Sequence, residues 1–327
     1  MKRPTQLNEI ATRLGVSAST VSRALRHPEL VREETRVEII KAANMAGYQT
    51  PPALSTRPRT GCIGMLVPDL ENPFFTTLAR AAMNEGRRHG YSLIIADSNE
   101  DPLGESEITA LTGKRVDGLI LVSSRLRDDD LLKTAQDMPL LLVNRELVDV
   151  PSLLIDNEPG MGQAVEHLAA LGHQSVAYVE GPPTSWSNRQ RRQSFEAITR
   201  MSGVEGVLLG PYPPRFDGGI QAADVAVARG VSAVIAYNDV MAFGIMSRLS
   251  GRGIAVPGEM SVVGFDDVPS ASIWSPPLTT ISASTTSIGK SAVSNLIRLI
   301  DGKPVYPEDR LRLPSHLVVR GSTATRS

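Results

Sequence analysis

The stretch that decides the architecture runs Leu7-Asn8-Glu9-Ile10-Ala11, then Gly15-Val16-Ser17, then Thr20-Val21-Ser22-Arg23-Ala24-Leu25. Thr5 stands where a helix N-cap belongs. Leu7, Ile10, Ala11 and Leu14 then recur at helical spacing. Gly15 ends that helix, because glycine tolerates the left-handed conformation of a helix C-terminus. Ser17 caps a second helix in which Val21, Ala24 and Leu25 face inward, while Ala18, Ser19, Ser22 and Arg23 face out. The segment from His27 to Val31 breaks the pattern. A third helix over 33–46 buries Val37, Ile40 and Ala43 and stops at Gly47. Two short helices joined by a glycine-containing turn, with a third behind them, form a helix-turn-helix. Small polar residues and one arginine on the exposed half of the second helix suit base edges and phosphates in the major groove.

Charge agrees with this. Residues 1–60 hold ten Lys/Arg and five Asp/Glu, whereas the rest of the chain holds 24 and 30. A basic module joined to an acidic body directs only the first part towards a polyanion.

This stretch, with Pro28 to Thr35 and Gly47-Tyr48, resembles the headpiece of the LacI/GalR family of repressors. The resemblance implies that Ala18 and Ser19 are the main specificity positions and that Arg23 contacts a base or phosphate. It implies that Ser17, Thr20, Ser22 and Tyr48 hold phosphates. The proline-rich residues 49–61 read as a linker by composition. In the family this linker forms a hinge helix that wedges a leucine into the minor groove. Here it is shorter, and the wedge position falls near Arg57, next to Pro58. Either Leu54 substitutes after Pro51-Pro52, or Arg57 reads the minor groove electrostatically.

From Cys62 the chain alternates strands and helices. Residues 63–67 form a continuous apolar run, as a buried parallel strand does. A helix over 75–90 follows, then a strand at 93–95, a helix near 105–114, and strands at 118–122 and 140–143 with another helix between them. The pattern repeats with helices at 160–171, 189–202, 220–229 and 240–252 and strands at 176–179, 207–209, 233–236 and 261–264. Two such runs predict two doubly wound α/β lobes, whose ligands sit at the carboxyl ends of the strands.

The body also resembles periplasmic sugar-binding proteins and the LacI/GalR core. The matching pieces include Val67-Pro68-Asp69-Leu70-Glu71-Asn72-Pro73-Phe74-Phe75, Val116-Asp117-Gly118, Ile155-Asp156-Asn157, Tyr237-Asn238-Asp239 and Val263-Gly264-Phe265-Asp266-Asp267. The resemblance implies three crossings between lobes, near Asn157, Ser282 and Asp309. The expected organisation is a headpiece over 1–48, a linker over 49–61 and an effector-binding core over 62–327. Lobe one then takes 62–156 and 283–308, and lobe two takes 157–282 and 309–327. The last strand, 317–319, returns to lobe two.

Strand-end polar and aromatic residues are the effector candidates: Asn72, Phe74 and Phe75 after the first strand, Ser123 and Ser124 after Val122, and Asn144 and Arg145 after Val143. Asp156 follows Ile155, Trp186 sits in the loop after Gly181-Pro182-Pro183, Tyr237 and Asn238 follow Ala236, and Asp266 follows Phe265. By family analogy Arg191 opens a helix towards the cleft. Aromatic faces with Asp, Asn and Arg suit polyols, since rings cover C–H faces and charged groups pair with hydroxyls. Plainer roles compete: Asp239 as a helix cap, Asp267 as a turn residue, Asn72 as the start of an Asn-Pro turn.

Enzyme readings find little support. No Gly-x-Gly-x-x-Gly follows a strand, no phosphate loop appears, and the five histidines form no His-Glu-x-x-His pair. His167 and His173 read as structural. Ser287-Ile288-Gly289-Lys290 matches Ser-x-x-Lys without its companion motifs, and reads as a helix start. No catalytic residue, metal or cofactor is expected. The single cysteine, Cys62, and the polar N-terminus suit a reducing cytoplasm, and no run is long and apolar enough for a membrane span. The expectation is a transcriptional regulator with three partners: double-stranded operator DNA, a sugar-like effector and a second copy of itself. Residues 318–327 carry no leucine heptads for a tetrameric coiled coil. Competing readings are control by a nucleoside, purine or phosphorylated metabolite, a sugar-binding transport protein, and an architectural DNA binder.

Overall fold

A computed structural model describes residues 6–18, 20, 21, 24, 31–45, 59–148, 150–303, 305 and 312–326. In the headpiece, α1 spans Gln6–Leu14 and α2 spans Glu33–Met45. Between them Ala18, Thr20, Val21 and Ala24 are helical. Gly15 takes φ +66, as its place after α1 requires. Ile10, Ala11, Val21, Ala24, Ile39, Ala42 and Ala43 form one small core. The expected inward face of α2 is corrected: Val37 and Ile40 are exposed, and Ile39 is fully buried. Ile39, Ala42 and Ala43 are the i, i+3, i+4 set that faces the other helices. The adjacent pair Ile39-Ile40 leaves this phase ambiguous in the sequence.

Lobe one has a six-stranded sheet. Its strands are β1 (Cys62–Val67), β2 (Ser92–Asp97), β3 (Leu119–Val122), β4 (Leu140–Val143), β5 (Ser152–Asp156) and β11 (Arg312–Pro314), in the order β11-β5-β4-β3-β1-β2. Every residue of β3 and β4 is buried, which explains their unbroken Leu/Ile/Val runs. The helices are α3 (Pro73–Arg88), α4 (Pro102–Gly113), α5 (Asp128–Asp137) and α10 (Thr285–Ile300). Lobe two has β6 (Ser175–Val179), β7 (Glu205–Leu209), β8 (Ala233–Ala236), β9 (Ser261–Phe265), β10 (Thr279–Ser282) and β12 (His316–Val318), ordered β12-β10-β9-β8-β6-β7. Its helices are α6 (Glu158–Ala170), α7 (Trp186–Ser202), α8 (Phe216–Ala228) and α9 (Asp239–Gly251). All pairings are parallel except β10 with β12.

Each sheet reverses its winding direction next to its first strand, between β1 and β3 in lobe one and between β6 and β8 in lobe two. In doubly wound sheets ligands sit at such switch points, outside the carboxyl ends. Here both switch points face one cleft.

The last crossing is corrected. Arg312–Pro314 pairs with β5 in lobe one, so the chain changes lobe at Ser315 and not near Asp309. Ser315 fixes the crossing by donating to the Asp156 carbonyl at 2.6 Å and accepting from the Gly160 amide at 3.1 Å. The final strand is His316–Val318, one residue earlier than expected. Helices α3 and α7 start earlier than read, because Asn72 and Ser185 cap them with their side chains.

Among the described residues, no helix is long and apolar enough to cross a membrane.

Candidate effector-binding cleft

The cleft is bordered on the lobe-one side by Asp69, Asn72, Phe74, Phe75, Glu100, Ser123 and Asn144. On the lobe-two side it is bordered by Ser187, Arg191, Pro214, Tyr237, Asn238 and Asp266. All six non-glycine residues with positive φ among the described residues follow the carboxyl ends of strands: Asn99, Glu100, Ser123, Asn144, Asp266 and Asp267. Strained backbone concentrates where chain direction is dictated by a site. Four of the six border the cleft.

Arg191 organises lobe two. It comes from α7, whose start is fixed by the Ser185 hydroxyl accepting from the Asn188 amide at 3.1 Å. Its guanidinium donates to Asp266 Oδ1 (3.3 Å), to Asn157 Oδ1 (3.3 Å) and to the Tyr237 carbonyl. It lies 3.4 Å from the Phe265 ring centroid and 5.0 Å from that of Tyr237. The Asp266 carboxyl is pushed up to about 6, mainly by loss of solvent; Arg191 and Asn72 oppose the rise. Burial also raises Asp69 and Glu100.

Each cleft carboxylate is matched by an arginine. Asp266 has Arg191, and Glu100 has the buried Arg125 at 2.8 Å. Asp69 has Arg215 at 3.7 Å.

Some plain roles coexist with cleft positions. Asn72 caps α3, accepting from the Phe74 amide at 3.0 Å. Asn238 caps α9 through the Met241 amide at 2.8 Å and donates to the Pro214 carbonyl at 2.9 Å. Tyr237 shares a 3.0 Å hydrogen bond with Ser185. Asp239 is neither cap nor cleft group. It is fully buried, accepts from Thr280 and from the Val268 amide, and is held well above the usual carboxylate range by burial. Asp267 pairs with Arg320 at 2.6 Å.

Four expected residues do not border the cleft. Trp186 is the first residue of α7, not a loop residue, and is buried. Arg145 turns away to Asp128 at 2.6 Å, and its neighbour Asn144 takes the cleft position at φ 52. Ser124 accepts from the Leu126 amide at 3.2 Å. Asp156 accepts from the Glu158 amide at 3.3 Å beside the first crossing. Sequence reading missed Asp69, Glu100, Ser187 and Pro214. Asp69 and Glu100 both follow strand ends, the rule that found the others, but were hidden inside turn and cap sequences.

In the headpiece, the Ser17 hydroxyl accepts from the Thr20 amide at 3.1 Å and pairs with the Thr20 hydroxyl at 2.8 Å. Ala18 is half-buried against the small core, so it faces out less fully than its position suggested. Ser19, Ser22, Arg23, Tyr48, Leu54 and Arg57 lie outside the described residues.

Residues 6–51 match the family of bacterial regulatory proteins named for lacI, and residues 165–323 match the periplasmic binding protein-like domain. The chain is 33% identical to the HTH-type transcriptional regulator MalR of Streptomyces coelicolor, over 98% of this chain and 97% of that one. This chain belongs to the LacI family of transcriptional regulators. This LacI-family chain is also 30% identical to the HTH-type transcriptional repressor CytR of Escherichia coli K12, over 97% and 96% of the two chains. The solved Lac repressor dimer, bound to operator and the anti-inducer ONPF, matches at TM-score 0.73 and 27% identity, over 98% of this chain and all of that one. The transcriptional regulator CelR in complex with cellobiose matches at TM-score 0.71 and 27% identity, with the same coverage. The LacI-family fold thus accounts for both the basic headpiece and the two-lobed core.

Proposed function

We propose that this regulator is a cytoplasmic repressor of a carbohydrate-use operon, controlled by a neutral, sugar-like polyol bound between the lobes. The observation that carries the effector class is the pairing of each cleft carboxylate with its own arginine. Such a wall is rich in acceptors for hydroxyl donors yet nearly balanced in charge. It disfavours a phosphorylated ligand, whose charge would meet Asp69, Glu100 and Asp266. Phe74, Phe75 and Tyr237 supply faces for the C–H side of a ring. The cleft encloses about 380 Å³ of space, its open mouth included.

The headpiece recognises a palindromic operator as part of a homodimer, since one recognition helix covers too few base pairs for useful specificity. Effector and operator then shift each other's affinity by the same factor. The molecule works by binding and performs no chemistry, as its named relatives are regulators.

A thermal-shift screen of neutral sugars, nucleosides, purines and sugar phosphates on the full chain tests the effector class. A stabilising neutral sugar is expected. A purine or phosphorylated hit with no polyol hit rejects the polyol reading and leaves the regulator reading intact. A monomeric mass at operator-binding concentration rejects the dimer.

A further inference from the structure

We propose that Arg215 is a latch that holds the two lobes closed. Arg215 belongs to lobe two and is the residue before α8, with no capping role for its side chain. Its guanidinium reaches across the mouth of the cleft to two lobe-one residues. Nη2 donates to Asn99 Oδ1, and Nε lies 3.7 Å from Asp69 Oδ2.

Both ends of this bridge are rigid. On the lobe-two side Pro213 and Pro214 precede Arg215, and proline fixes φ. The Pro214 carbonyl is tied to Asn238 at 2.9 Å. On the lobe-one side Asn99 sits at φ 51, with its amide donating to Asp97 Oδ1 at 2.7 Å. Asp69 is fixed by the Glu71 amide at 2.8 Å. A bridge between pre-ordered groups loses little conformational entropy when it forms.

The deeper polar contact between the lobes, Asn72 with Asp266, joins two cleft-lining groups, whereas Arg215 is not itself in the lining and meets Asp69 and Asn99 from the mouth. Arg215 is part-exposed at the mouth, and its neighbour Pro214 forms the wall. The lobes cannot part on this side without breaking the bridge. Its strength therefore biases the balance between closed and open forms. Because the guanidinium is part-exposed, salt weakens that bias.

The proposal concerns regulation of the cleft read above as the effector site, but its test uses no ligand. Spin labels on Leu103→Cys in lobe one and Ile273→Cys in lobe two, in a Cys62→Ser background, report lobe separation in the full chain by pulsed electron resonance. Both label sites are exposed. With labelled chain diluted in an excess of unlabelled chain, so that a dimer carries one label pair, the expected result is a single short distance when Arg215 and Asn99 are unsubstituted. Arg215→Ala shifts the distribution several ångströms longer or broadens it, and Arg215→Lys restores part of the short population. Salt at about 1 M, where the screening length is ~3 Å, lengthens the parent distance and leaves Arg215→Ala unchanged. Asn99→Gly, which keeps the positive φ, removes the other partner and shifts the distribution in the same direction. Identical distributions in the parent, Arg215→Ala and Asn99→Gly overturn the latch, as does lengthening by salt in Arg215→Ala equal to that in the parent. A failed sugar screen would leave this result standing.

Discussion

Arg191 and Asp266 face each other at 3.3 Å with both side chains almost sealed from solvent, and the guanidinium lies 3.4 Å from the Phe265 ring centroid. Arg191 is thus held by a ring, a carbonyl and two acceptors, and Asp266 borders the cleft. An effector hydroxyl donating to that carboxylate makes a charge-assisted bond that asparagine reproduces poorly. Asp266→Asn is expected to weaken the sugar found in the screen by about 10- to 150-fold, equivalent to ~1.5–3 kcal/mol. Calorimetric titration checks this. Operator affinity without sugar should stay unchanged in a gel-shift assay.

The same carboxyl gives a pH signature. Its folded value of about 6 lies above the ordinary 3.8. The stability it contributes is therefore fully present below 3.8 and lost as pH rises through 6. His167 and His173 are lowered by burial and act oppositely, losing stability as pH falls below 6.5. Subtracting the Asp266→Asn profile removes their share. The parent-minus-variant melting temperature should rise as pH drops from 7 to 5. Sugar affinity should fall over the same window, as the acceptor becomes protonated. A flat difference profile would show that Asp266 is already ionised at pH 5.

Helices α8 and α9 cross closely at glycines. A Cβ on Gly244 would lie 2.0 Å from the Phe216 carbonyl oxygen, and one on Gly219 would lie 2.1 Å from that of Met241. Gly251, in the same helix as Gly244, has nothing within 4 Å. Gly244→Ala should destabilise the core by at least about 1–3 kcal/mol, the usual range for overpacking, because backbone must move. Gly251→Ala should be neutral or slightly stabilising, since alanine favours helix. Urea unfolding of the two variants separates these outcomes.

In the headpiece, Ser17→Ala removes the cap on the Thr20 amide and should cost about 1 kcal/mol of headpiece stability, with weaker operator binding. Arg23→Ala should cost about 1–3 kcal/mol in operator affinity. Changes at Ala18 and Ser19 should alter which bases are preferred. Selection from a random DNA pool distinguishes the two. Equal weakening on all DNA from every substitution would mean that Ala18 and Ser19 do not read bases.

Local pattern settled much of this protein. Glycine at 15 and serine at 17 set the turn of the helix-turn-helix, since φ and capping depend on neighbours only. Unbroken apolar runs marked β1, β3, β4 and β8, and strand ends pointed to Asn72, Ser123, Tyr237, Asn238 and Asp266. What depends on contacts distant in sequence was left to tertiary structure. Ile39 rather than Ile40 is buried because the other headpiece helices select one phase of α2. Asn144 rather than Arg145 meets the cleft because Asp128 draws the arginine away. The third crossing lies at Ser315 because β11 pairs with β5, about 160 residues earlier in the chain. The match of Asp69, Glu100 and Asp266 with arginines from three different segments appears only in the folded chain, within one lobe for Glu100 and for Asp266 and between the lobes for Asp69, because charge pairing follows distance in space and not position in the chain.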